Sequence, residues 1–113
     1  MTLDEDIVSW HKQTFPDITM GEMLVKADEE IGEVCDAIRN GSNNHALEEM
    51  ADVYIVSRVL KERFNSHVGG YFIGLLEEYP VPRIMDAVEK KMKENKKRKW
   101  HKVDGVYRHK EEE

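Results

Sequence analysis

Two short acidic motifs carry the chain's most chemically suggestive spacing: Glu29-Glu30-Ile31-Gly32-Glu33 and Glu48-Glu49-Met50-Ala51-Asp52. Residues three apart on a helix share a face, so Glu30 sits beside Glu33 and Glu49 beside Asp52. In solvent such like-charge pairs cost only a few tenths of a kcal/mol, and one pair alone reads as an exposed acidic face. Asp52 does not fit that reading. It lies within Ala51-Asp52-Val53-Tyr54-Ile55-Val56, whose apolar members demand burial, and an unpaired buried carboxylate costs several kcal/mol. The neighbouring helical stretches offer Lys26, Arg39 and Arg58 as counter-charges, and a divalent cation is the other way to neutralise it. Carboxylate oxygens alone, with no histidine or cysteine at ligand spacing, select hard Mg²⁺ or Mn²⁺ over zinc. The Glu-x-x-His pattern of di-iron bundles is absent. Carboxylate-held Mg²⁺ keeps positions for water and phosphate oxygens, so phosphate chemistry is the first functional expectation.

Its complement is the basic run from Lys90 to Lys99, where Lys91, Asn95 and Arg98 fall on one face of a continuing helix and could grip a polyphosphate. The plainer reading of most of these lysines is a solubilising helix end that suits the C-terminal dipole. Charge is distributed unevenly. Residues 1–62 carry 14 acidic and 5 basic side chains, whereas residues 89–110 carry 3 acidic and 10 basic ones. The overall formal charge of −6 argues against wholesale coating of nucleic acid or anionic membrane.

The elements that must position these residues are helical. Thr2 with Glu5 has capping-box spacing and opens a first helix that Pro16 stops; Thr19 with Glu22 opens a second, closed at Asn40-Gly41. In this second helix Met20, Met23, Leu24, Ala27, Ile31, Val34 and Ile38 recur at helical steps. After the loop from Gly41 to Asn44, a third helix is expected from His45 to about Asn65 or Ser66, ending near Gly69-Gly70. Its residues from Met50 to Leu60 are apolar nearly all round, which calls for burial on several sides. A chain of 113 residues is short for that task, which suggests a dimer or higher oligomer. Tyr71 to Tyr79 reads as a short helix or a packed loop, and Pro80-Val81-Pro82 precedes a further helix through Ile84, Met85, Val88 and Met92. Trp100 to His109 reads as a hairpin around Asp104-Gly105, marginal without something to pack on, and Glu111 to Glu113 as a frayed tail. The fold class is therefore all-α, a four- to five-helix bundle over residues 1–100, with a hairpin or extended tail over 101–113.

Taken together, the Glu29–Glu33 and Glu48–Asp52 motifs followed by Lys91, Asn95 and Arg98 resemble the MazG-like all-α nucleoside triphosphate pyrophosphohydrolases, over about residues 20–100. The resemblance implies cleavage of a nucleoside triphosphate, often a deoxynucleotide or a modified one, between its α and β phosphates. Glu30, Glu33, Glu49 and Asp52 match the family's catalytic Mg²⁺ ligands, with Glu33 or Glu49 as the group that orients water. Lys91, Asn95 and Arg98 match phosphate-associated positions. Trp10, His11 and Phe15 lie where similar proteins place base contacts, although Trp10 and Phe15 also complete the apolar face of the first helix. The single motif copy departs from long tandem members and is similar to the compact ones, which resemble homodimers or homotetramers.

One cysteine, Cys35, cannot form an intrachain disulfide and reads as helix packing. The acidic N-terminus lacks the form of a signal peptide, and no apolar run approaches a membrane span, so a cytoplasmic protein without membrane contact is expected. Two other functions stay open: a non-catalytic helical oligomer that binds a partner or nucleic acid through its basic helix, and a relative that binds nucleotide without cleaving it.

Overall fold

In a computed structural model, which describes residues 1–78 and 80–109, the chain forms five helices and one hairpin. These are α1 (Leu3–Thr14), α2 (Met20–Arg39), α3 (Asn43–Phe64), α4 (His67–Glu78), α5 (Ile84–Lys97), β1 (Trp100–Val103) and β2 (Val106–His109). The expected tail, Glu111 to Glu113, lies outside the described residues.

Local chemistry sets the boundaries. Thr2 and Glu5 form the reciprocal capping box at α1. At α2 only half of the box forms: the Thr19 hydroxyl accepts from the Glu22 amide, while the Glu22 carboxylate takes the hydroxyl rather than the Thr19 amide. The α2 end is a Schellman closure. Gly41 adopts φ +71°, the Ser42 amide donates to the Ala37 carbonyl and the Gly41 amide to that of Ile38, both at 3.0 Å. This tight reversal folds α3 back along α2 and brings the two acidic motifs face to face.

Two expectations about α3 need correction. The helix stops at Phe64, where Asn65 takes a left-handed conformation (φ 52°) and the Ser66 amide closes on the Leu60 carbonyl. Gly69 and Gly70 belong to α4, which makes the middle segment helical as far as Glu78. Furthermore, α3 needs no second subunit to cover it. It packs against α1, α2, α4 and α5 of its own chain, and every residue from Val53 to Leu60 is buried. The all-round apolar pattern therefore describes a central helix of the monomer and is no argument for an oligomer. The α2 pattern is also narrower than expected. Its buried stripe is Met23, Ala27, Glu30 and Ala37, while Ile38 is 60% exposed and Cys35 lies off the stripe in solvent.

The α3–α4 crossing depends on Gly69. A Cβ there would fall 2.6 Å from both the Lys61 amide nitrogen and the Ser57 carbonyl oxygen, and backbone atoms cannot step aside as a side-chain tip can. Gly69→Ala is expected to lower stability by about 1–3 kcal/mol or more, the cost of overpacking. Chemical denaturation checks this, and an unchanged midpoint would contradict the close approach.

The hairpin finds the support it requires. Asp104 (φ 51°) and Gly105 (φ 80°) form the left-handed pair that a two-residue β-turn demands, and Trp100 pairs with His109. Its inner face packs on the end of α1: Phe15 meets Trp100 and Tyr107 edge-on with ring centres 5.1 and 4.8 Å apart, and Trp10 meets Trp100 at 6.2 Å. Asp17 accepts hydrogen bonds from both Lys102 and Tyr107.

Candidate metal centre

Glu30 and Glu49 are the only carboxylates in the buried set among the described residues, 5% and 9% exposed. Glu30 occupies the same α2 stripe as Met23 and Ala27, so a position that helical geometry assigns to the core carries an acid. With Glu33 and Asp52 they form one cluster, in which a carboxylate oxygen from each residue lies within 4.8 Å of the others. All four residues of the expected ligand set are thereby brought together.

The cluster is incompletely neutralised. Lys26 reaches Glu30 at 3.2 Å and Lys91 reaches Asp52 at 3.7 Å, so a lysine of α5 supplies the cationic partner that Asp52 requires. The other candidate cations are engaged elsewhere: Arg39 pairs with Asp36, and Arg58 with Asp4 and Glu62. Four carboxylates thus share two ammonium groups. One oxygen of Glu30 and one of Glu49 are buried without a hydrogen-bond partner, a costly arrangement unless something binds them.

The electrostatics of the cluster reflect the same surplus. Burial, followed by the charges of Glu30 and Glu33 working against Lys91 and Lys26, pushes Asp52 up to about 7. Glu30 is raised by burial above all, and Glu33 first by its contact with the Glu49 carboxyl. The donor set fits a hard divalent cation: oxygens only, convergent, with two orphaned atoms and excess negative charge. Glu30, Glu33, Glu49 and Asp52 would hold it.

Other expected site residues fall at different places. Lys91 adjoins the cluster, but Asn95 is buried and turns its side-chain Nδ2 toward the Met92 sulfur, while its side-chain Oδ1 accepts from Arg98 at 3.4 Å. Arg98 has left the helix, with extended backbone (φ −72°, ψ 148°). The expected common face of Lys91, Asn95 and Arg98 thus ends where α5 ends, and the latter two serve the junction with the hairpin, where Trp100 Nε1 donates to the Asn95 carbonyl.

Trp10, His11 and Phe15 form the aromatic seam between α1 and the hairpin, with His11 and Phe15 buried and Trp10 half-buried. Trp10 and Phe15 have the packing role that the apolar face of α1 implied, and His11 is packed with them. The His11 ring lies 2.8 Å from an Arg63 guanidinium nitrogen, so its Nδ1 is an acceptor and the ring is neutral; burial first, then Arg63, lowers it to about 3. Arg63 also donates to the carbonyls of Phe15 and Pro16, pinning the end of α1.

His45 is the residue whose position sequence reasoning missed. It stands 3.5 Å from Glu49 and 3.8 Å from Glu48, and its spacing of four and three residues from them was the available signal. Among the described residues no helix is long and apolar enough to cross a membrane. No family model, curated protein or solved structure matches this chain.

Proposed function

We propose that the protein is a Mg²⁺-dependent nucleoside triphosphate pyrophosphohydrolase of the MazG-like type, cleaving between the α and β phosphates to release a monophosphate and pyrophosphate. The observation that carries this reading is the convergent four-carboxylate cluster, in which Glu30 and Glu49 are buried and one oxygen of each is unsatisfied. A structural acidic patch would sit in solvent, where repulsion is screened; burying two of its carboxylates has a cost that Lys26 and Lys91 offset in part and that a bound cation would offset further. By the same resemblance the protein works as a homodimer or homotetramer, and its single cysteine fits a cytoplasmic setting.

The chemistry that Mg²⁺, or Mn²⁺ in its place, supplies in such a site is neutralisation of phosphoryl oxygens and acidification of water. The chain's own residues have separate tasks. Glu30, the most enclosed, is held by Lys26 of its own helix and turns an unpartnered oxygen into the cluster. Glu33 and Glu49 border an open groove and can accept the proton of a water that attacks the α-phosphorus; the bond from that phosphorus to the bridging oxygen breaks, and pyrophosphate leaves. Lys91 lies against Asp52 on the other side, where its ammonium group can stabilise the charge that builds on the leaving group.

The test is pyrophosphate release from a panel of canonical and modified nucleoside triphosphates, with Mg²⁺ and with EDTA. Release with Mg²⁺ and its loss with EDTA are expected; Ca²⁺, with its looser and higher coordination, should substitute poorly. Silence of the folded protein across the panel would reject the reaction and leave the binding-module reading.

A further inference from the structure

Two grooves flank the cluster on neighbouring faces of α3, and they differ in charge. The first, ≈ 370 Å³, lies between α3 and α5 and is bordered by Arg83, Lys90 and Lys91, and by Glu48, Asp86 and Glu94. The second, ≈ 430 Å³, lies between α2 and α3, with Glu33, Asp36, Asn40, Ser42, His45 and Glu49 on its walls. The first brings three permanent cations against three acids; the second has three acids and no lysine or arginine.

Arg83 and Lys90 form no ion pair among the described residues, unlike Lys91, which is shared by Asp52 and Glu94. Arg83 is held at the mouth of the first groove by a left-handed backbone (φ 67°) at the start of α5, where no side chain caps the helix. The open helix start adds a partial positive charge beside two free cationic side chains.

A substrate with a polyanionic end and an uncharged end, lying across the cluster, has one favourable direction. We propose that the β and γ phosphates lie in the α3–α5 groove against Arg83, Lys90 and Lys91, and that the nucleoside lies in the α2–α3 groove. In the second groove Asn40 and Ser42 offer hydrogen bonds and His45 a flat ring. This orientation rests on the proposed reaction, which places the scissile bond over the carboxylates. It assigns pyrophosphate recognition to Arg83 and Lys90, outside the acidic motifs, and base discrimination to Asn40 and His45. Reversal would set the most highly charged part of the substrate among Glu33, Asp36 and Glu49, where close like charges repel.

Calorimetric titration with two probes, Mg²⁺-pyrophosphate and a panel of nucleoside monophosphates, separates the grooves without turnover. The doubly substituted Arg83→Gln/Lys90→Gln protein should bind pyrophosphate roughly tenfold more weakly, as two lost charge contacts imply, and monophosphates within about twofold of wild type. Asn40→Ala should do the reverse, weakening monophosphates and leaving pyrophosphate unchanged. All three substituted residues border open grooves, and thermal melts confirm that the variants are folded. The assignment is overturned if the double variant binds pyrophosphate like wild type, if it weakens both probes equally, or if wild type binds no pyrophosphate. The failure of the reaction is distinguishable: a wild type that binds pyrophosphate through Arg83 and Lys90 but cleaves no triphosphate keeps the groove and loses the enzyme.

Discussion

Asp52→Asn is expected to cut Mg²⁺-dependent turnover by about a hundredfold or more while raising the melting temperature of the metal-free protein at pH 8. Asparagine keeps the shape of the side chain and loses its charge. In the metal-free state that charge is a liability, because Asp52 is pushed up to about 7 by burial and by neighbouring carboxylates. At pH 8 the folded protein must hold the ionised form in a place that disfavours it. Removing it should return about 1–3 kcal/mol, less than the full shift implies because Lys91 loses a partner. A residue kept for structure would lose stability on substitution. The pair of measurements, pyrophosphate release and a thermal melt, therefore discriminates: lower stability of the variant argues against a cation site, and unchanged turnover against a catalytic one.

Mg²⁺ should stabilise the protein strongly at pH 8 and progressively less as pH falls through 7. A group whose pKa is raised by folding lends stability that is complete below its unfolded value and is lost as pH rises through its folded value. For Asp52 that window runs from 3.8 to about 7, and Glu30 and Glu33 are shifted in the same direction. A cation competes with those protons. At a hundred times its dissociation constant it adds about 2.7 kcal/mol, provided the carboxylates are ionised, and its binding releases protons at lower pH.

His11 works in the opposite sense. Its pKa falls from 6.5 to about 3 on folding, so its contribution is complete above 6.5 and is lost as pH falls toward 3, by about 1.4 kcal/mol per pH unit. Without metal the two slopes oppose each other between pH 4 and 6.5. With saturating Mg²⁺ the rising slope of His11 should emerge. Melts across pH 4–8, with and without Mg²⁺, check this, and a metal effect independent of pH would contradict carboxylate ligation.

The helices and the two acidic motifs were legible because both depend on short-range spacing, whereas the meeting of the motifs in one cluster depends on α3 folding back along α2. Capping pairs and helical recurrence mark α1 and α2, and Asp52 is conspicuous because it stands among apolar neighbours that are buried. What depends on tertiary approach was not legible. Lys91 could be read as a phosphate ligand, but only the packing of α5 on α3 makes it the partner of Asp52. Asn95 and Arg98 looked continuous with Lys91 because nothing in Lys-Lys-Arg-Lys announces that the helix ends at Lys97. Gly69-Gly70 read as a terminator, whereas Gly69 is there to let two backbones touch. Similarly, the apolar girth of α3 was read as a subunit contact because sequence periodicity does not reveal how many helices of the same chain surround it. The charge difference between the two grooves, and hence the place of Arg83, belongs wholly to the assembled structure.

The Schellman reversal at Gly41 also has a kinetic side. The four repelling carboxylates sit within one α-hairpin, residues 30–52, whereas Lys91 arrives from an element some forty residues later. In the growing or refolding chain the repulsion is local and early, and part of its relief is distant and late. Loop closure at Gly41 must hold the two helices together until α5 docks. The order of assembly thus makes the pairing of α2 and α3 an ionic-strength-sensitive step, with screening ions serving the young chain as Lys91 serves the finished one.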